Sequence, residues 1–426
     1  MQKGTAMETH PEQVGIQGAR VLNSDFRFED SSCLSWAAGS FHHGSETGLS
    51  SAELSNAEPS SAPPSSLMSE SDSSQRFIGG EGLWVVPGFV DAHIHLSRTD
   101  RVAGGRSSCS LEERDELVSR NFETVLAAGF TGVRDAGGLC PEWIGKVASG
   151  EVSGPFISGS LSIITKDVVD EVGSLPIAVG RALANGASWV KIVATKGLDN
   201  PVGSPYGSLF SREDFRIAVG LAEAADARVM VHALGGDAIT WAIQSGVHSI
   251  EHGVYLTHSQ AVMMAAAGVT YVPTVGLYHG LLERLELGEL QGSWKARLAD
   301  IIAVHPASIR LARAAGVEVA LGSDYVSDDP AGAQLREFRA LHDAGLSARE
   351  VLRSATVVGA KLLTGECAPT GTLEEGAPAN AVIFSRDPFD ADAYTDLTAI
   401  AAVVKNGLLF TPDHAKAMLF GAPVGR

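Results

Sequence analysis

From residue 84 onward the apolar positions switch between two periods. Short β-branched or apolar runs alternate with longer Ala- and Leu-rich stretches at helical spacing. Eight runs read as strands: "LWVVPGFVDAHIH", "TGVRDAG", "PFISGS", "SWVKIVAT", "RVMVHAL", "HSIEHGV", "VTYVPTV" and "VEVALGSD". Helices are expected at 111–129, 211–227, 237–246, 259–268 and 307–316, four of them ending on a glycine, the usual C-terminal stop. Ser211 and Asp214 open the second of these as a capping-box-like pair. Strand–helix alternation implies parallel strands joined by crossovers. Eight such units suit a closed (β/α)8 TIM barrel, which takes about 250 residues. The rival is a doubly wound open sheet, but no Gly-x-Gly-x-x-Gly follows a strand.

The fold class expected is therefore α/β, a barrel over 84–370. Residues 1–83 and 371–426 are strand- and turn-rich and are predicted to build a small flanking β-sandwich from both chain ends. Residues 45–74 hold twelve serines and no Lys or Arg. Such a stretch cannot bury enough apolar surface to offset its ordering entropy, and a flexible insertion is expected there.

Composition narrows the partners. The chain has 426 residues, 45% hydrophobic and 19% charged, enough to bury a substantial core. Its net charge of −18, with no basic footprint, argues against nucleic acid and against an anionic membrane surface. Cys33, Cys109, Cys140 and Cys367 form no Cys-x-x-Cys, which leaves out a zinc ribbon and reads as reduced thiols. No apolar leader and no apolar run of about 20 residues is found, so a cytoplasmic protein is expected. A homo-oligomer is left open.

In a barrel of this kind function sits at the C-terminal ends of the strands. Strand alternation puts His93 and His95 on one face. Lys191 lies on the fourth strand, His232 ends the fifth, His252 the sixth, and Asp324 the eighth. Each has an ordinary reading alone: a core histidine bonded to backbone, or an aspartate capping a turn. Together they are six polar groups of metal-ligand type at one rim. A lysine is almost never fully buried unless paired, and an ammonium has no lone pair for a metal. Burial lowers its pKa and frees the amine. The amine can capture carbon dioxide, and the resulting carbamate can bridge two cations. Two divalent metals are expected, zinc first, with manganese, cobalt or iron as alternatives. Lys196 is the competing lysine, but its strand parity is opposite to that of Lys191.

The ordered motifs "VVPGFVDAHIHL", "GVRDAGG", "WVKIVATKG", "VHALGG", "SIEHGV", "GSD" and "GTLEEGAPANAVIF" resemble the amidohydrolase superfamily, and within it the imidazolonepropionase-like branch of metal-dependent prolidases. The resemblance covers 84–410. It implies that His93, His95 and Asp324 hold one metal, that His232 and His252 hold a second, and that carboxylated Lys191 bridges them. It also implies that Asp324 moves a proton from a metal-bridging hydroxide to the leaving amine. The expected reaction is hydrolysis of an amide-type C–N bond (amide, urea or carbamate) in a small molecule. The alternatives are a mononuclear deaminase or cyclic imidate hydrolase of the same superfamily, a phosphotriester- or lactone-cleaving hydrolase, and a non-catalytic scaffold. Leu234 stands where prolidase-like members carry an aromatic. Arg134 reads either as a clamp for a substrate carboxylate or as the partner of a carboxylate inside the barrel. Loops after the fourth and seventh strands offer Tyr206, Tyr278 and His279 for substrate contact.

Overall fold

The computed structural model describes residues 13–31, 33–37, 39–43, 75–98, 111–290, 292–327, 329–365, 368–394 and 396–412. The Ser-rich stretch 45–74, Cys109 and Cys367 lie outside them. Among the described residues no helix is long and apolar enough to cross a membrane. The chain divides into two units, Met1–Gly88 with Thr372–Pro388 and Thr398–Arg426, and Phe89–Gly371 with Phe389–Leu397.

The first unit contains two sheets. Four strands run in the order Ser40–His43, Leu34–Ala37, Gln13–Gln17, Gln75–Gly79. Six run in the order Leu408–Phe410, Ile400–Lys405, Ala381–Phe384, Trp84–Pro87, Arg20–Leu22, Phe28–Asp30. Ile16, Leu34, Trp36 and Phe41 of the first sheet and Val85, Ala381, Ile383 and Val404 of the second share one apolar core.

The second unit is α/β with parallel strands. Phe89–Ile94, Phe130–Asp135 and Phe156–Gly159 form one sheet, and Ile163–Ile164, Trp189–Val193, Arg228–Ala233, Ser249–His252 and Thr270–Val272 form another. The eighth expected strand has no ladder of its own. It makes main-chain bonds on both sides: Tyr271 N–H to Glu318 O and Ala320 N–H to Tyr271 O at 2.9 Å each, then Ala92 N–H to Leu321 O at 2.8 Å. At the other junction Ser188 N–H donates to Gly159 O at 3.1 Å.

Three expectations change. The run 83–95 is not one strand. It breaks at Gly88: Trp84–Pro87 pairs with Ala381–Phe384 in the first unit, and Phe89–Ile94 pairs with Phe130–Asp135 in the second. Both halves are buried, so hydropathy alone shows one continuous run. The helix expected at 307–316 is the end of a 21-residue helix, Lys295–Ala315, that passes through Pro306. "GLYHG" is not a loop but lies within the helix Val275–Glu286. The capping box holds: Asp214 N–H donates to Ser211 Oγ at 3.2 Å, and Ser211 N–H to Asp214 Oδ2 at 2.8 Å.

Candidate metal centre

Alternation along Phe89–Ile94 carries Asp91, His93 and, one residue beyond, His95 to the same side. The parallel register sets the neighbouring strands. Val193 lies opposite His232, and His232 opposite Glu251, so Lys191, His232 and Glu251 share that side. His93 and His95 approach Asp324 Oδ1 through Nε2 at 3.7 and 3.3 Å. Lys191 Nζ lies 3.1 Å from His93 Nε2. The His252 ring is 5.1 Å from that of His93 and 4.4 Å from that of His232. The structure thus brings the six residues together, and ligand atoms of His93, His95 and Asp324 lie within 4.8 Å of one another. Lys196 is exposed, and it lies beyond the strand, which ends at Val193, so alternation does not decide its direction.

Partners behind the imidazoles set which nitrogen faces the centre. His93 Nδ1 bonds Glu251 Oε2 at 2.6 Å, His95 Nδ1 bonds Gly137 O at 2.8 Å, and His252 Nδ1 bonds Thr274 Oγ1 at 2.7 Å. A carbonyl only accepts, so His95 carries its hydrogen on Nδ1 and leaves the Nε2 lone pair forward. The same arrangement follows for His93 against a carboxylate. His232 Nε2 is buried with no hydrogen-bond partner. A buried nitrogen without a partner is costly, and a cation satisfies it.

The charges agree. Burial, reinforced by Lys191, lowers His93 to about 4 and His232 to about 3, and burial holds His252 well below its ordinary value. All three are neutral donors near pH 7, as a metal requires. Burial works to raise Asp324, but His93, His95 and His252 hold it well below the usual carboxylate range. Burial pulls Lys191 down to about 8, against the attraction of Glu251 and Asp324. The donor set of imidazoles, a carboxylate and a weakly basic buried amine fits divalent metal.

Sequence reasoning left out the shell behind the ligands. Glu251 is fully buried and receives Arg134 Nη2 at 2.9 and 3.1 Å. Burial alone would raise this carboxyl, but Arg134 and His93 bring it to about 2. Arg134 also donates to Ala92 O at 2.6 Å and Ser249 Oγ at 2.8 Å, and lies 4.3 Å from the Trp189 ring. It is therefore the partner of an internal carboxylate, not a clamp open to substrate. Asp91 accepts the N–H groups of His93 and Ser323 at 3.0 Å each. Asp91 could have been found from its parity with His93; the Arg134–Glu251 pair, 117 residues apart, could not.

Of the three aromatic candidates, Tyr278 is held well above its ordinary range by burial and by the charge of Asp324. Tyr206 and Tyr278 are buried in an apolar cluster with Leu234, Val254 and Leu281. Tyr206 packs 5.2 Å from the Tyr255 ring and 5.3 Å from the Arg297 guanidinium. Tyr278 packs edge-on to His305 at 5.6 Å. His279 is exposed on the same helix as Tyr278.

A parallel α/β unit that gathers histidines and an aspartate at its strand ends has a group of side chains that could hold a metal ion. Residues 84–409 match the amidohydrolase family, and the chain belongs to it, a family of hydrolases acting on C–N bonds. The chain is 25% identical over 365 residues to an ochratoxinase of Aspergillus niger, covering 76% of this chain and 75% of that one. It is 28% identical over 319 residues to an uncharacterized protein of Mycobacterium tuberculosis, covering 72% and 80%. A prolidase crystallised with N-methylphosphonate-L-proline superposes with a TM-score of 0.78 at 24% identity, over 94% of this chain and 100% of that one, a likeness of fold.

Proposed function

We propose that the chain is a binuclear metal-dependent hydrolase of amide-type C–N bonds in small molecules, on a closed (β/α)8 barrel with a flanking β-sandwich. One observation carries this reading. Four imidazoles, an ionised carboxylate and a buried amine converge, and the histidines present Nε2 forward, His232 with no other partner. The family and the likeness to an ochratoxinase support hydrolysis of a C–N bond of the amide, urea or carbamate type.

In this reading His93, His95 and Asp324 hold one divalent ion, and His232 and His252 hold the other. Zinc suits the set, with manganese, cobalt or iron as alternatives. The bound ions supply Lewis acidity, polarising a carbonyl oxygen and acidifying water. Lys191, with its lowered basicity, would attack carbon dioxide through the nitrogen lone pair, forming an N–C bond as one C–O π bond opens and one proton leaves, and the resulting carbamate would offer anionic oxygens as further metal donors. Asp324, kept ionised by the histidines, accepts the proton of the attacking water and returns it to the departing nitrogen. Glu251 holds the His93 ring through Nδ1, itself fixed by Arg134.

A second reading has its own support. Among the described residues, His93, His95 and Asp324 alone form a group of mutually close ligand atoms. That suits a mononuclear deaminase or cyclic imidate hydrolase. Metal content per chain separates the two, measured by elemental mass spectrometry on protein produced with zinc and bicarbonate. Two equivalents support the lead, and N-acyl amino acids, anilides, phenylureas and carbamates are then screened. One equivalent favours the second reading. No metal overturns both.

A further inference from the structure

We infer that Tyr271 and His305 are positioning residues for His252, holding its backbone in the left-handed turn that swings the imidazole into the metal centre. The inference rests on the metal reading above and adds to it which residues build the second half of the site.

Adjacent residues of a strand point to opposite faces. Glu251 faces the centre, because its Oε2 bonds His93 Nδ1 at 2.6 Å. His252, the next residue, would then face away. It does not: its ring lies 4.4 Å from that of His232 and 5.1 Å from that of His93. The backbone reverses the parity. His252 has φ +70° and Gly253 φ +49°, two successive left-handed residues at the end of the strand. A residue with a side chain adopts that conformation only when its surroundings over-determine it.

What over-determines it is a pair of side chains from outside the strand. The turn takes the His252 carbonyl out of the ladder, and a buried carbonyl needs a donor; Gly253 O already accepts the Leu256 N–H at 3.1 Å. Tyr271 Oη donates to His252 O at 2.9 Å and lies 3.0 Å from Gly253 O. His305 Nε2 lies 2.8 Å from His252 O and 3.1 Å from Tyr271 Oη. A carbonyl accepts only, so the His305 hydrogen is on Nε2. His305 Nδ1 is buried with no partner, so the contact that orients this ring is the one on the Nε2 side. The Tyr271 ring also closes over Gly253, where a Cβ would sit 2.6 Å from Tyr271 Cε2. Both residues are fully buried. Thr274 completes the set by holding His252 Nδ1 at 2.7 Å, itself at φ +53°. Among the described residues, the side-chain hydrogen bonds of Tyr271 and His305 run to the His252 and Gly253 carbonyls and to each other, so they reach the converging groups through the His252 main chain. They act through geometry.

The test uses the full chain, stripped of metal and titrated with Zn2+ in bicarbonate buffer against a chromogenic chelator. Three variants are compared with wild type: Tyr271→Phe and His305→Leu, which each remove a donor, and His305→Gln, which keeps an N–H near the Nε2 position. The expected result is a loss of about 10–100-fold in affinity for one equivalent in the first two, the range found when partners behind metal ligands are removed. The other equivalent keeps its wild-type affinity, and His305→Gln recovers most of the loss. Thermal unfolding is followed in parallel; Tyr271→Phe removes a single oxygen and keeps the test open if His305→Leu does not fold. Unchanged affinity for both equivalents in the donor-lacking variants overturns the inference, as does equal weakening of both. A wild-type chain that binds fewer than two equivalents defeats the binuclear reading instead, and this inference with it.

Discussion

Arg134→Met breaks the most buried ion pair of the described residues and tests whether the shell behind His93 is held by charge. Both side chains have 0% exposure. The substitution leaves Glu251 with only Ser249 Oγ and His93 Nδ1 as partners, and strips donors from Ala92 O and Ser249 Oγ. Removing one partner of a buried pair costs about 3–5 kcal/mol, because the remaining charge stays in a poorly solvating interior. Burial acts to raise the Glu251 carboxyl, and Arg134 is the first of the attractive causes that bring it down to about 2 instead. A native chain is stable by only about 5–15 kcal/mol, so the loss is readily measured. The assay is guanidinium unfolding followed by far-UV circular dichroism, for wild type, Arg134→Met and the double variant Arg134→Met/Glu251→Met. The double variant is expected to be more stable than the single, because no charge is then stranded. Destabilisation of the single variant by less than about 1 kcal/mol, or a double variant no better than the single, would refute the argument.

Lys191→Ala is expected to lose one equivalent of Zn2+ and nearly all turnover of an amide substrate, both read on the same preparation; near-normal turnover would remove the lysine from the chemistry. Chelation should lower the unfolding temperature of the zinc-loaded chain, because a ligand that binds only the folded state stabilises it by mass action, and calorimetry with and without a chelator reads this directly. Glu337, whose carboxylate accepts the N–H groups of Val275 and Gly276, is pushed by burial up to about 8 despite them. The folded chain therefore holds a proton there that the unfolded chain releases, so this group's contribution to stability falls as pH rises from about 4.5 to about 8. Denaturation midpoints across pH 5–8 should fall more steeply in wild type than in Glu337→Gln, and parallel profiles would show that the carboxyl is not titrating there.

Much of this protein was legible from local pattern. Seven of the expected strands fall on observed strands, and Ser211 and Asp214 cap their helix as their spacing requires. The two-residue spacing of His93 and His95 dictates a shared face wherever the strand lies, because alternation is a property of the extended backbone itself. Pattern failed where the deciding contact was distant in the chain. The Pro87-Gly88 pair is a local break signal, but nothing local in "VVPGFV" shows that the strand before it pairs in the first unit and the strand after it in the second, since both halves are apolar. Pro306 reads locally as a helix breaker, yet the helix Lys295–Ala315 continues through it. Arg134 has two locally equal readings, separated only by the arrival of Glu251 from 117 residues away.

The sequence by itself determined which chemistry was present: four histidines, a lysine and an aspartate in or just after apolar runs. Only the tertiary structure decided how they face one another. Glu251 and His252 are neighbours in sequence, and alternation would separate them. Both reach the centre because His252 adopts a left-handed backbone, held by Tyr271 and His305 from other elements. Periodicity is written into each residue's own backbone preferences, whereas a departure from it must be stabilised by groups that only the folded chain brings within hydrogen-bonding distance.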